Sequence, residues 1–296
     1  MIINNYKGGQ LANRIFIFAH LMANSLEYKY VLINPEFDEF EPYFESTQAN
    51  YFNGYSISTR LHKLYMVHQL LRRGIRFFTD CTHLFFTNTP WYILYRIFKS
   101  HDAKGIEFNL NDTTFIQAVK NKNVILQGWA FRDHISFDKH ADVIRSLFVP
   151  IKKYNQLVQQ QMLEAKASAN MVFGIHIRRG DYKQFEGGKY YFDDAVYIDK
   201  MWQLYNQQKA KGNTCCFLIC TNEPIDINRF PGEFILFAQK RHFITDLYCL
   251  AACNGIIGPP STFSAWASFY GKVPIHQFHA ENELIILKSY YASTNN

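Results

Sequence analysis

The sequence predicts an α/β protein built on parallel β-sheets. Three observations lead to this fold class: the chain opens as strand, turn, helix and strand, its second half alternates strand-like with helix-like runs, and the strand-like runs are continuously apolar. Strands that are apolar on both faces are typical of parallel sheets covered by helices. With 296 residues, the chain is expected to form two domains of near-equal size.

The opening segment predicts a strand–helix–strand unit. Residues 2–6 form a strand-like run, 7–10 a glycine-containing turn, 11–28 an apolar helix and 30–33 a second strand. Such units are the building blocks of parallel sheets.

The middle of the chain is less regular. Residues 34–112 carry aromatic side chains without a clean period, which predicts mixed helix and loop. A strand over 124–127 and a helix over 139–148, closed by Pro150, follow. A long polar helix over 152–167 is predicted to connect the two domains, 1–165 and 166–296.

The second half alternates regularly and predicts a Rossmann-like domain with helices on both faces of its sheet. The predicted strands are 171–177, 215–220, 234–238, 255–257 and 273–276, and the predicted helices are 193–210, 243–252 and 261–270.

Composition excludes several classes of protein. Hydrophobic residues make up 48% and charged residues 19% of the chain, which argues against disorder. A net charge of +6 without a basic tail or block is too small to indicate a nucleic-acid partner. No apolar run approaches the about 18 residues of a membrane span. Six cysteines without a CxxC pair, and no signal-peptide pattern, predict buried thiols in a cytoplasmic protein.

The most informative segment is residues 173–182, Phe-Gly-Ile-His-Ile-Arg-Arg-Gly-Asp-Tyr. An apolar strand runs directly into Arg178, Arg179 and Asp181, which places these charges at a carboxyl strand end, where open α/β sheets bind ligands. Two guanidinium groups there predict an anion site, because arginine offers paired donors to phosphate oxygens. The alternative is an arginine that forms a structural ion pair with Asp181.

A second segment, residues 258–266 (Gly-Pro-Pro-Ser-Thr-Phe-Ser-Ala-Trp), follows a short strand and opens a helix. Ser261 or Thr262 is predicted as the N-cap, and the exposed amides and positive dipole end there suit a phosphate. A plain N-cap is the alternative. Asp246 is either an ordinary first-turn carboxylate or an acceptor for the N1 and N2 donors of guanine, and its spacing leaves both open.

These motifs resemble those of the α1,2-fucosyltransferases and, more distantly, of the α1,6- and protein O-fucosyltransferases. The resemblance rests on residues 176–182 and 261–266 and extends to Gly-Gln-Leu-Ala-Asn-Arg-Ile-Phe at 9–16 and Gly-Trp at 128–129, so it covers most of the chain. The departures from the family pattern are Gln10, Ala12 and Arg14, which fall on the acceptor-facing side.

The resemblance implies a GT-B fold, in which two Rossmann-like domains face each other across a cleft, and inverting, metal-independent transfer of L-fucose from GDP-fucose without a cofactor. The implied acceptor is a galactose-containing glycan, a surface-polysaccharide or O-antigen precursor modified at O2 of a terminal galactose. By position, the implied nucleotide-sugar-binding residues are His176, Arg178, Arg179, Asp246, Ser261, Thr262, Phe263 and Ser264, with Gly9 and Asn13 on the opposing acceptor side.

The residues themselves agree with chemistry that needs no metal. Aspartates two positions apart, the usual metal clamp on a nucleotide-sugar diphosphate, occur nowhere in the sequence. Arg178 and the helix start at Ser261 are therefore expected to stabilise the charge that grows on the leaving GDP.

Inverting transfer also needs a base for the acceptor hydroxyl, usually a carboxylate. Glu186 lies eight residues beyond Arg178, the spacing at which the α1,6-fucosyltransferases place a base glutamate. The predicted catalytic residues are therefore Arg178, Asp181 and Glu186, with Asp181 itself and the acidic residues Glu36, Asp38 and Glu39 as rival bases.

Two other functions remain open: transfer from a different nucleotide sugar, and glycan binding without catalysis. The second would use a sugar-stacking surface formed by the aromatic residues Tyr43, Phe44, Tyr51, Phe52, Trp91 and Tyr92. Peripheral contact with the inner membrane is expected through the basic residues Arg72, Arg73 and Arg76.

Overall fold

The computed structural model describes residues 1–85, 95–99, 107–238 and 241–292. The chain divides into two compact units, Met1–Ile151 and a second that begins at Lys152. The polar helix Lys152–Ser168 thus belongs to the second unit, whereas the sequence placed the domain boundary after residue 165.

In its described residues, the first unit contains two parallel sheets. Its strands are β1 (Ile2–Asn4), β2 (Leu32–Ile33), β3 (Ile57–Ser58), β4 (Tyr95–Lys99), β5 (Phe108–Asn109), β6 (Asn123–Gln127) and β7 (Phe131–Arg132). Five of them pair in the order β3-β2-β1-β6-β4, and β5 pairs with β7. Strands β1, β2 and β6 were predicted, while β3, β4 and β5 lie in the region predicted as helix and loop.

The helices of the first unit are α1 (Leu11–Tyr28), α2 (Glu45–Ala49), α3 (Tyr65–Phe85), α4 (Thr113–Asn121), α5 (His134–Lys139) and α6 (Ala141–Leu147). Helix α1 matches its prediction at both ends, and it is buried along most of its length because its apolar run covers several faces. The predicted helix over 139–148 is instead the pair α5 and α6. Asp133 caps α5 by accepting a hydrogen bond from the Ser136 amide, which starts the helical segment earlier.

Aromatic side chains form the core of the first unit. Phe18 on α1 lies 5.2 Å from Phe37, and Phe44 lies 5.4 Å from Phe148, measured between ring centroids. Phe44 and Phe52 are therefore core residues rather than a glycan-stacking surface. Of the other aromatics in that hypothesis, Tyr51 is exposed, Tyr43 is partly buried, and Trp91 and Tyr92 lie outside the described residues.

The second unit is a doubly wound sheet. Its elements are α7 (Lys152–Ser168), β8 (Met171–Ile177), α8 (Asp194–Lys209), β9 (Cys215–Thr221), β10 (Ile235–Phe237), α9 (Phe243–Leu250), β11 (Gly255–Gly258), α10 (Thr262–Gly271) and β12 (Ile275–Gln277). The five strands are parallel, in the order β10-β9-β8-β11-β12. This order confirms the predicted Rossmann-like sheet and makes β8 its central strand.

Both faces of this second sheet are covered. Tyr197 and Met201 of α8 pack with Phe217 of β9 and with Phe278, while α9 packs against α7 and α10. The thiols of Cys215, Cys216, Cys220, Cys249 and Cys253 are free and buried here. Burial raises the pKa of the Cys216 thiol to about 11, so these thiols are packing groups.

Candidate functional site

The candidate site lies where the strand order of the second sheet reverses. Chain connections run from β8 to β9 on one side, while β11 pairs with β8 on the other, with Ile257 opposite Ile175. At such a switch point the loops after the two strands diverge and leave a crevice for a ligand. The two motifs singled out in the sequence are the loops after β8 and after β11.

The loop after β8 presents Arg178. Its guanidinium forms an ion pair with Asp181 at 2.9 Å and lies 5.4 Å from the centre of the Tyr182 ring. The backbone N–H of Arg178 donates to the Tyr197 hydroxyl at 3.3 Å, which fixes the start of the loop. The Asp181 side chain is 54% exposed, so this ion pair lies at the surface, where a second anion can reach the arginine.

Arg179 points the other way and forms structural contacts. Its guanidinium pairs with buried Asp194 at the start of α8 and donates to the Phe192 carbonyl at 3.2 Å. Asn222, just after β9, binds the Arg179 backbone twice, accepting from its N–H at 3.0 Å and donating to its carbonyl at 3.1 Å. The alternative of a structural ion pair therefore describes Arg179, with Asp194 rather than Asp181 as the carboxylate.

The loop after β11 is held against β8 at close range. A Cβ atom on Gly258 would lie 2.6 Å from the carbonyl oxygen of His176, so only glycine allows this approach. Ser261 is the N-cap of α10, as predicted, and its hydroxyl accepts from the Phe263 N–H at 3.2 Å. The start of α10 thus directs amide donors and a positive dipole end to the switch point.

Two residues that the sequence interpretation left without a role fix this loop. Gln277, at the end of β12, donates to the Ser261 carbonyl at 2.8 Å and to the Ser264 hydroxyl at 2.9 Å. Tyr182 donates to the Pro260 carbonyl at 2.6 Å. Gln277 ends β12, and Asn222 directly follows β9. A polar residue at the carboxyl end of a predicted strand was the signal in the sequence that could have identified both residues.

His176 is buried at the end of β8 and stacks on Phe263 of α10, with 5.2 Å between ring centroids. Burial, with a smaller contribution from Arg178, lowers the pKa of His176 to about 3, so the imidazole is neutral. Its Nδ1 atom has no hydrogen-bond partner among the described residues. A neutral ring with an unpartnered Nδ1 atom can form one hydrogen bond with a ligand that reaches it.

Asp246 lies in the first turn of α9 and is buried. Its carboxylate accepts from Arg241 at 2.6 Å, and Arg241 in turn donates to the Ile219 carbonyl at 2.5 Å. Burial raises the pKa of Asp246 and the Arg241 charge opposes that rise. The structure therefore gives Asp246 an internal partner, which neither sequence interpretation included.

Glu186 lies in a one-turn segment beyond Asp181. Its side chain is exposed, its backbone has the left-handed φ of 47°, and none of the described basic side chains forms an ion pair with it. Asp181, the other predicted catalytic carboxylate, differs from Glu186 because it forms an ion pair with Arg178.

The predicted acceptor-side residues lie in the first unit. Gly9 has a left-handed φ of 76°, and a Cβ there would approach the Asn13 side chain to 2.7 Å. Arg14 donates to the Gly9 carbonyl at 3.2 Å and pairs with Glu39 at 3.2 Å. The family departure at Arg14 therefore fixes the turn that contains Gly9.

The acidic residues Glu36 and Asp38 are bound by arginines of α3. Arg76 pairs with buried Glu36 and Arg72 pairs with Asp38. Arg72, Arg73 and Arg76 were expected to form a basic surface; the structure pairs Arg72 and Arg76 with carboxylates of the same unit, while Arg73 is exposed. Glu36 and Asp38 are correspondingly poor candidates for a base.

Within the described ranges, no group of three or more His, Cys, Asp or Glu side chains could hold a metal ion. No described helix is both long enough and apolar enough to cross a bilayer.

Comparisons with known proteins agree with this fold. The family model described as Glycosyl transferase family 11 matches residues 95–273. No curated protein sequence matches the chain.

Several solved structures share the fold. Fucosyltransferase NodZ from Bradyrhizobium is 14% identical with a TM-score of 0.57, covering 94% of this chain and 95% of that chain. POFUT1 in complex with GDP-fucose is 12% identical with a TM-score of 0.57, covering 94% and 97%. A mutant of FUT1 from Arabidopsis thaliana in complex with GDP is 13% identical with a TM-score of 0.60, covering 93% and 69%.

At these identities the solved structures show the fold, and they confirm the predicted GT-B class. Membership in a protein family rests instead on the match to the family model over residues 95–273. Because it spans more than half of the 296 residues, the chain belongs to glycosyl transferase family 11.

Proposed function

We propose that this glycosyltransferase moves L-fucose from GDP-fucose to a hydroxyl of a glycan, with inversion at the anomeric carbon and without a metal ion. The observation that carries the proposal is that Arg178 directly follows β8 while the capped start of α10 follows β11, the strand paired with β8 at the switch point. The similar structures named above include complexes with GDP and with GDP-fucose.

The proposed reaction exchanges one bond for another. The bond between the fucose anomeric carbon and the β-phosphate oxygen breaks, a bond from the acceptor oxygen forms, and GDP leaves. Negative charge accumulates on the diphosphate as the bond breaks. Arg178 and the positive end of the α10 dipole stabilise that charge more in the transition state than in the ground state.

The guanine base is assigned to the region of His176 and Phe263. These two rings stack on each other, and the neutral imidazole offers its Nδ1 atom. Asp246 remains a proposed contact for the N1 and N2 donors of guanine, provided that its carboxylate accepts from the base as well as from Arg241. Ser261 and Ser264 act by holding the loop, and Arg179 acts through Asp194.

The proton of the acceptor hydroxyl goes to a carboxylate, and Glu186 fits this role better than the other candidates. It is exposed, whereas Asp181, Glu36, Asp38 and Glu39 are all paired with basic side chains. A general base needs such availability to approach its substrate. Gly9 and Asn13 are proposed to lie on the acceptor side, and the proposed acceptor hydroxyl is O2 of a terminal galactose.

The test is nucleotide choice followed by product analysis. GDP is expected to raise the melting temperature and UDP is not, because only guanine matches the proposed base site. Incubation with GDP-fucose and a panel of galactosides should then give one product, whose linkage NMR identifies. Stabilisation by UDP alone would instead indicate a different nucleotide sugar, and stabilisation by neither would indicate glycan binding without catalysis.

A further inference from the structure

Helix α3 is attached to the first unit through its polar side. Arg72 and Arg76 form ion pairs with Asp38 and Glu36, and the Thr79 hydroxyl accepts from the Asn5 amide at 2.9 Å. A surface helix of a globular protein normally directs its apolar stripe to the core and its charges to water. Helix α3 has the opposite orientation.

The opposite side of α3 carries an apolar ridge. Met66, Leu70 and Phe77 are 78%, 65% and 72% exposed. At about 100° per residue these three side chains fall within about 40° of each other and nearly opposite Arg72. We call Met66, Leu70 and Phe77 the outer ridge. Three large side chains exposed in one row are unusual on an isolated soluble surface.

The charges beside the outer ridge are mainly basic. Residues 62–81 contain the bases Lys63, Arg72, Arg73 and Arg76 and a single acid, Asp80. Arg72 and Arg76 are neutralised by carboxylates of the unit itself, which leaves Lys63 and Arg73 exposed with Asp80. The exposed surface of α3 and of the residues just before it is therefore apolar along its centre and carries two bases against one acid.

We propose that the outer ridge of α3 docks on the surface of an anionic lipid bilayer. Apolar side chains enter the boundary between headgroups and acyl chains, and Lys63 and Arg73 meet the lipid phosphates. A second copy of the chain fits less well, because each copy brings more exposed bases than acids into the interface, whereas lipid phosphates supply the opposite charge. The ion pairs on the inner side hold the helix parallel to the surface of the unit, which suits an interfacial position.

This inference does not depend on the proposed function. It keeps Arg73 of the expected basic surface and replaces Arg72 and Arg76 with Lys63 and the outer ridge. It predicts where the protein touches lipid and says nothing of the reaction, so its failure and the failure of fucosyl transfer are separate results.

The test is sedimentation with vesicles of phosphatidylcholine that contain about 30 mol% phosphatidylglycerol. The triple variant Met66→Gln, Leu70→Gln, Phe77→Gln is expected to lower the partition coefficient at least about ten-fold, since each side chain loses its apolar transfer energy. The matched control changes Ile135, Leu163 and Leu284 to glutamine; these side chains are exposed by 71%, 71% and 70%, and the control should bind like the wild type.

A second variant measures the contribution of the exposed bases to vesicle binding separately from that of the outer ridge. Lys63→Gln with Arg73→Gln should weaken binding to the anionic vesicles by about five-fold for each charge and leave the weak binding to pure phosphatidylcholine unchanged. Melting temperatures check that the variants fold, and the single variant Met66→Gln should show a smaller loss in the same direction. Wild-type protein that does not bind vesicles, or a ridge variant that binds them equally well, would overturn the proposal. So would a wild-type dimer that the ridge variant converts to a monomer without a change in vesicle binding.

Discussion

The hydroxyl of Tyr182 donates a 2.6 Å hydrogen bond to the carbonyl oxygen of Pro260, joining the loop after β8 to the loop after β11. The same aromatic ring lies 5.4 Å below the guanidinium of Arg178. The arginine and the helix start proposed to hold the diphosphate are therefore linked through one side chain. Their relative position is set before a ligand arrives, which is the condition for electrostatic stabilisation of a transition state.

Replacement of Tyr182 by phenylalanine tests this link. Tyr182→Phe keeps the ring and removes the donor to Pro260, so we expect a loss of about 1 kcal/mol in the free energy of unfolding. We also expect GDP to bind several-fold more weakly, because the start of α10 is less firmly placed. Calorimetric titration measures the second effect, and Tyr51→Phe, at an exposed position of the first unit, is the control. Unchanged GDP affinity in Tyr182→Phe would show that the hydrogen bond is only structural.

Arg178 is expected to be essential for transfer and dispensable for folding. Arg178→Ala removes an ion pair with a half-exposed carboxylate, so the melting temperature should change little. Turnover of GDP-fucose should fall by about 100-fold or more, as when a charge-stabilising donor is removed from other enzymes. The turnover of Arg178→Lys should be intermediate, because lysine keeps the positive charge but lacks the paired N–H donors of a guanidinium group. Turnover of Arg178→Ala within a few-fold of wild type would refute the assigned role.

The elements that the sequence predicted best are those with continuous apolar runs. Helix α1 and strand β8 match their predicted bounds because both are buried on most sides and no surface pattern complicates the signal. Helix α3 lay in a region without a clean period. Its buried side is polar, with Arg72 and Arg76 held by Asp38 and Glu36, so a rule that directs apolar residues inward fails there.

The candidate site was predictable to the extent that it follows strand ends. Arg178 and Ser261 stand directly beyond apolar strands, and position alone identifies them. The sequence could not predict that Arg178 would lie at the surface while Arg179 forms a buried ion pair. That difference depends on Asp194, which lies fifteen residues beyond Arg179. Gln277 likewise acts on Ser261 through a contact that only the order of strands in the sheet creates.

Arg179 should behave as the opposite of Arg178. Arg179→Ala leaves buried Asp194 with Arg229 as its remaining cation, at 2.6 Å, and we expect a loss of about 3 kcal/mol in unfolding free energy. A double-mutant cycle with Asp194→Asn, measured by denaturant unfolding, should show strong coupling between the two sites. Additive effects would contradict the ion pair, and an unchanged stability with loss of GDP binding would assign Arg179 directly to the ligand.

His176 should make stability depend on pH. Burial lowers the pKa of His176 from 6.5 to about 3 in the folded protein, so between these values the unfolded chain binds a proton that the folded chain does not. The free energy of unfolding should therefore rise with pH by up to about 1.4 kcal/mol per unit in that window and level off above it.

The measurement is denaturant unfolding between about pH 5 and pH 7. His20 is also buried with a lowered pKa and adds a slope of the same sign, so the difference between wild type and His176→Gln is the quantity of interest. This variant should have the shallower slope, while His62→Gln, at an exposed position, should keep that of the wild type. Equal slopes in the wild type and His176→Gln would mean that the imidazole is protonated or solvated in the folded state.

Glu186 is the proposed base, and its variant should change the pH–rate profile rather than binding. Glu186→Gln keeps the exposed side chain and its turn but cannot accept the acceptor proton, so kcat should fall by about 100-fold or more. The rise of kcat with pH on the acidic side should disappear, because it reports ionisation of the base. GDP affinity should stay at the wild-type value, and Glu233→Gln, another exposed glutamate of the second unit, should keep both rate and profile. An unchanged pH–rate profile in Glu186→Gln would exclude it and leave Asp181 as the next candidate, because the Asp181 side chain is 54% exposed despite its ion pair with Arg178.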